Sequence, residues 1–124
     1  MKKDRPVNLD IGTMRLPITA WTSIAHRASG VFLFAVVGLL LWMLDQSLAG
    51  ADSFNALEQN LAHPLVKLII WAALAGLIYH GVAGVKHLVM DMGFGETMEG
   101  GSLGSRIVIG VSLVLVVLAG VWLW

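Results

Sequence analysis

Leu68–Val85 reads LIIWAALAGLIYHGVAGV, an apolar run with one basic side chain, His80, set deep inside it. The run matches the roughly 17–25 apolar residues that a membrane-spanning helix needs. It does not alternate apolar with polar, and an open sheet edge cannot be satisfied in lipid, so a helix is the reading rather than a strand. An imidazole at that depth is costly, and an intramembrane ionisable group is by default a functional-site hypothesis. Neutral imidazole is also the commonest metal ligand. The other reading is a core histidine satisfied by a hydrogen bond.

Two further runs flank this one. Ala28–Leu44 and Ile107–Trp124 carry no charge. The whole chain of 124 residues is 57% hydrophobic and only 13% charged. A soluble domain has about a quarter charged residues, so that class is excluded. Three spans form one domain, with helices expected at about 20–48, 64–91 and 105–124 behind a leader over 1–19. Pro17 and Thr19 sit where the first helix starts, and His63-Pro64 where the second does. Gly100, Gly101 and Gly104 are expected to form a flexible hinge before the third. The first run follows a long polar leader and has no small-residue cleavage site after it, so it is not read as a signal peptide. The chain has no cysteine, so it cannot ligate an iron–sulfur cluster by thiolates. Nothing in it points to nucleic acid; its surroundings are membrane lipid.

The net charge of zero hides an asymmetry. Lys2, Lys3, Arg5, Arg15 and Arg27 lie in or next to the leader, and Lys86 and Arg106 in the second connection. The first connection, Asp45 to Lys67, has Lys67 alone. The positive-inside rule then puts the N-terminus and the second connection in the cytoplasm and the C-terminus outside. Trp42, Trp122 and Trp124 are expected to form an interfacial aromatic belt on the outer side.

Gly76, His80, Gly84 and His87 recur at spacings of four, four and three, along one helix face. Glycines one turn above and below a ligating histidine would leave room for a flat macrocycle such as haem. They would equally let a second helix approach closely. His87 and Lys86 lie toward the cytoplasmic boundary, where cations could face haem propionates or act as interfacial anchors. Ser23, His26, Arg27, Ser29 and Gly30 form a second constellation on the first helix. Ser23 and Arg27, four apart, share a face and could hydrogen-bond a quinone carbonyl; Arg27 could also be a snorkelling anchor. A low-spin haem wants two strong axial ligands. His26 lies near the end of its helix, at a depth that does not match His80, so either the second ligand comes from another polypeptide or the haem reading is wrong.

These residues resemble a known family. Arg5-Pro6-Val7-Asn8-Leu9 with Ser23-Ile24-Ala25-His26-Arg27-Ala28-Ser29-Gly30 is similar to one signature of the cytochrome b556 subunit of succinate dehydrogenase. His80-Gly81-Val82-Ala83-Gly84-Val85-Lys86-His87-Leu88-Val89-Met90-Asp91 is similar to the other, with Lys86 where the family usually has arginine. The resemblance spans essentially the whole chain. It implies an all-α membrane protein whose three transmembrane helices form part of a hetero-oligomeric bundle around haem b. It implies His80 as haem-iron axial ligand, a second small anchor subunit supplying the other axial histidine, and Ser23 and Arg27 at a ubiquinone site. It also implies His26, Arg27 and His87 as neighbours of the haem propionates. Flavin and iron–sulfur clusters would belong to a flavoprotein subunit and an iron–sulfur subunit. Electrons would pass from succinate through those partners to ubiquinone at a bacterial inner membrane, as part of electron transport and the tricarboxylic acid cycle. No complete active site is expected on this chain alone. The competing readings are a stand-alone transmembrane b-type cytochrome and a non-redox membrane scaffold.

Overall fold

The computed structural model describes residues 6–7 and 9–124. Lys2, Lys3, Arg5 and Asn8, which carry part of the leader's charge and of the first signature, lie outside the described residues. Within them the order is α1 (Ile18–Leu48), α2 (Ala51–Leu61), α3 (Pro64–Asp91) and α4 (Met98–Leu123), with no strand. Helices α1, α3 and α4 are each long and apolar enough to cross a membrane. The protein is therefore a multi-pass, all-α membrane protein.

α1 begins directly after Pro17, whose extended backbone serves as N-cap, and Thr19 lies inside the first turn rather than capping it. Its 31 residues extend about 46 Å at 1.5 Å each. That exceeds a hydrocarbon core of about 30 Å, so α1 tilts or projects beyond the lipid. Gly50 then turns the chain with φ +154°, a conformation that disfavours a side chain. α2 follows at once. Its start is held to the end of α1 by Ser53 Oγ, which donates to the Gln46 carbonyl at 2.8 Å, and Asp52 in its first turn complements the helix dipole.

α3 opens with Pro64 in its first turn and the His63 ring accepting from Leu65 N–H at 3.2 Å. α4 starts at Met98, seven residues earlier than the sequence suggests. The cause is a cap: Thr97 Oγ1 accepts from Gly100 N–H at 3.0 Å, and Glu99 sits in the first turn. The expected hinge is thus a helical turn. Its glycines allow close contact instead. A Cβ at Gly101 would meet Thr19 Cγ2 at 3.3 Å, and one at Gly104 would meet Lys86 Cε at 3.3 Å.

The interior is thin. Gly101, Ser105, Val108 and Ser112 bury one face of α4, the small-residue seam expected where helices meet in lipid. Ala73 and Ala83 of α3 and Thr22 and Val36 of α1 complete it. Large apolar side chains face outward: Phe34 is 88% exposed and Trp122 80%. Such a surface needs lipid or other helices against it. At one end of the bundle, Trp71 Nε1–H donates to the Val116 carbonyl at 2.8 Å and its ring meets Trp124 edge-on at 6.1 Å. Lys67 Nζ sits 5.9 Å over the Trp124 ring. Met43 and Trp122 line one cleft there, so Trp42 stands level with the terminal tryptophans.

Candidate functional site

The opposite end gathers the imidazoles. His80 of α3 and His26 of α1 stack with ring centroids 4.3 Å apart and planes 15° from parallel. His87 tilts against His26 at 4.9 Å and 46°. The sequence reading placed His26 and His80 at different depths, and the stack corrects it. His26 lies eight residues inside the start of α1 and His80 eleven inside the end of α3, about 12 Å and 16 Å along antiparallel helices. The helix begins well before the uncharged run does, which brings the two rings within one turn of the same level. Packed face to face, they leave no space for a macrocycle between them. His26 and His80 therefore do not form an axial pair. Among the described residues no three His, Asp or Glu side chains converge to hold a metal ion unaided; these imidazoles meet by their faces, not their lone pairs.

The glycines resolve in favour of packing. A Cβ at Gly76 would lie 2.6 Å from the Phe32 ring, and one at Gly84 would lie 3.6 Å from His26 Nε2. The space over these two glycines is taken by two α1 side chains, so the glycines seat α1 on α3.

Ser29 is the polar contact of His80. Its Oγ lies 2.9 Å from His80 Nδ1 and 2.6 Å from the His26 carbonyl oxygen, which is itself 3.3 Å from His80 Nδ1. Gly30 comes next: a Cβ there would meet His80 Cε1 at 3.2 Å. The His26 ring, the Ser29 hydroxyl and the bare Gly30 thus bound the His80 imidazole on three sides. His26 Nε2 is buried and has no hydrogen-bond partner among the described residues. A buried, unpaired ring nitrogen is unusual, and it offers a place for a polar group of a bound molecule.

Lys86 points elsewhere. Six residues beyond His80, it is turned about 120° around α3, and its ammonium donates to Ser105 Oγ at 2.8 Å. Thr22 Oγ1 donates to the Thr19 carbonyl at 3.0 Å. Ser105 must then be the donor in its 3.0 Å contact with Thr22 Oγ1. Tyr79 Oη donates to the Thr22 carbonyl at 2.7 Å. This chain of donors ties α3 to α4 and α1, and Ser105 is fully buried within it. Hydrogen bonds between membrane helices average about 0.6 kcal/mol, so the network specifies how three helices pack more than it adds stability. Sequence reasoning missed Thr22, Tyr79 and Ser105. The i, i+4, i+7 spacing of Gly101, Ser105, Val108 and Ser112 is the signal that could have found the last.

Ser23 and Arg27 stand one turn apart on α1, half-buried and exposed respectively. Neither meets His80, and neither has a hydrogen-bond partner among the described residues. Their donors are free to receive an acceptor from outside the chain.

Comparison with known proteins agrees along the full length. A family model described as the succinate dehydrogenase/fumarate reductase transmembrane subunit matches residues 1–119. The succinate dehydrogenase cytochrome b556 subunit of Coxiella burnetii is 42% identical, with all of both chains covered. That of Paracoccus denitrificans is 32% identical over 93% of this chain and 88% of its own. That of Rickettsia prowazekii is 30% identical over 92% and 89%.

Proposed function

The chain belongs to the succinate dehydrogenase/fumarate reductase transmembrane subunit family, the membrane-anchor subunit of a succinate:quinone oxidoreductase; from that premise we propose that it holds haem b through His80 and presents Ser23 and Arg27 to ubiquinone. The observation that carries this reading is the imidazole cluster at bilayer depth. His80 is held on three sides, and beside it His26 Nε2 is buried without a partner among the described residues. The residues fit the group. His80 would hold the haem iron through a ring nitrogen, and His26 Nε2 would meet a propionate, with His87 adjoining it. His26 is stacked on the His80 ring, so the other ligand would be supplied by a second small anchor subunit. Bound there, haem b would supply a one-electron store.

Arg27 and Ser23 do the work at the quinone. The guanidinium offers a rigid fork of donors. Ser23, one turn away on the same face, adds a hydroxyl. Together they bind and orient a quinone carbonyl, and their hydrogen bonds strengthen as negative charge grows on that oxygen during reduction. The electrons come from the iron–sulfur subunit, which takes them from a flavoprotein that oxidises succinate. With seven of the eight Lys and Arg residues falling in or beside the leader and second connection, that end faces the cytoplasm of a bacterial inner membrane. The protons taken up by the reduced quinone then come from that side.

The test is Arg27→Ala in the whole complex. Succinate:quinone reduction falls by about a hundredfold, the usual cost of one such donor, while succinate oxidation with a soluble dye is kept. Unchanged quinone reduction removes Arg27 from the site.

A further inference from the structure

His80 presents two ring nitrogens, and only one can bind a metal while the other holds the ring in place. The contacts decide which. Ser29 Oγ has a single hydrogen, and at 2.6 Å from the His26 carbonyl oxygen it must donate it there, because a carbonyl only accepts. The Ser29 oxygen can then only accept from His80 Nδ1 at 2.9 Å. The same Nδ1 lies 3.3 Å from the His26 carbonyl, a second acceptor. Two acceptors converge on Nδ1, so Nδ1 carries the hydrogen and the lone pair sits on Nε2.

We propose that Ser29 is the positioning residue of His80: by accepting from Nδ1–H it fixes the tautomer and ring orientation that leave Nε2 for iron, and by polarising the ring it sets the electron affinity of that iron. This inference rests on the reading of His80 as haem ligand. A hydrogen bond from Nδ1–H makes an imidazole a stronger donor to its metal. A stronger donor favours the ferric over the ferrous state, and hydrogen bonding to an axial ligand is one of the protein's levers on haem potential. Ser29 also closes a local circuit. Its own hydrogen occupies the His26 carbonyl, three residues back along α1, and the ring of that same histidine stacks on His80. Backbone, hydroxyl and both imidazoles thus form one unit built from α1 and α3. Gly30 completes it by keeping a Cβ away from His80 Cε1.

The experiment uses the intact, detergent-solubilised complex in wild-type, Ser29→Ala, Ser29→Cys, Ser29→Thr and His80→Ala forms. It reads b-type pigment content, the haem midpoint potential, and the electron paramagnetic resonance spectrum of the ferric haem. Ser29→Ala keeps the pigment but raises the midpoint potential, with the ferric-to-ferrous equilibrium shifted up to about tenfold, or about 59 mV for one electron. The low-spin ferric signal shifts with it, because the ring is no longer held. Ser29→Cys nearly keeps the side-chain volume but accepts hydrogen bonds weakly, so it reproduces the shift without opening a cavity. Ser29→Thr retains the hydroxyl and restores the wild-type potential. Wild-type potential and spectrum in both Ser29→Ala and Ser29→Cys overturn the proposal for Ser29 alone, if His80→Ala has lost the pigment. Pigment with both nitrogen ligands intact in His80→Ala instead overturns the haem assignment itself.

Discussion

The two ends of the bundle solve different problems with the same helices. At the His80 end, α1, α3 and α4 are joined by imidazole stacking and by hydroxyls: Ser29 to His80, Tyr79 to Thr22, Lys86 through Ser105 to Thr22. At the Trp124 end α3 and α4 are joined by indoles, with Trp71 on the Val116 carbonyl, Trp124 against Trp71, and Lys67 over Trp124. The first end leaves donors and a ring nitrogen unspent at Arg27, Ser23 and His26. The second pairs an indole N–H with a carbonyl and adds the short surface helix α2. Groups kept available mark the end where a ligand is handled; groups closed on one another mark the end that anchors.

The contrast is broken most severely by His80→Ala, which is expected to abolish the b-type optical bands of the purified complex while succinate:dye activity persists. Retained bands would make the polar end no more than a packing device. Gly76→Ala, between the two ends, tests the close approach of α1 to α3. A methyl group 2.6 Å from the Phe32 ring overpacks the interface by about 1–3 kcal/mol. Thermal unfolding of the complex should register it as a lowered Tm, partly restored by adding Phe32→Leu. A Gly76→Ala protein as stable as wild type would mean that α1 and α3 do not touch there. The smallest effect belongs to the anchoring end. Trp71→Phe removes one interhelical hydrogen bond, about 0.6 kcal/mol, and should leave the haem spectrum and quinone reduction unchanged. Altered quinone kinetics in that variant would show that the Trp124 end is not purely an anchor.

Much of the architecture was legible because lipid enforces it. Uncharged runs of spanning length, the start at His63-Pro64 and the placement of the tryptophans all follow from what a bilayer tolerates. The surface helix α2 was not legible, because the Asp45 to Lys67 connection is rich in polar residues; its clue was Phe54, Leu57 and Leu61 at helical spacing. The early start of α4 was hidden by glycines that composition reads as a hinge and Thr97 turns into a capped helix. In the site, residue types were easier to read than contacts. His80 stood out by its cost in hydrocarbon. Ser29 was visible in the constellation but had no role until the 2.9 Å contact was known. Lys86 read as a cation for haem propionates or an interfacial anchor, and its turn toward Ser105 was hidden because position in sequence does not say what a side chain will meet.

The thin interior carries one more consequence. With Phe34 and Trp122 almost bare and the buried positions held mostly by alanine, glycine and serine, most of the apolar surface of one copy is left for lipid or other helices to cover. Any polypeptide that covers these faces and binds only the folded state then adds to the fold's stability by mass action.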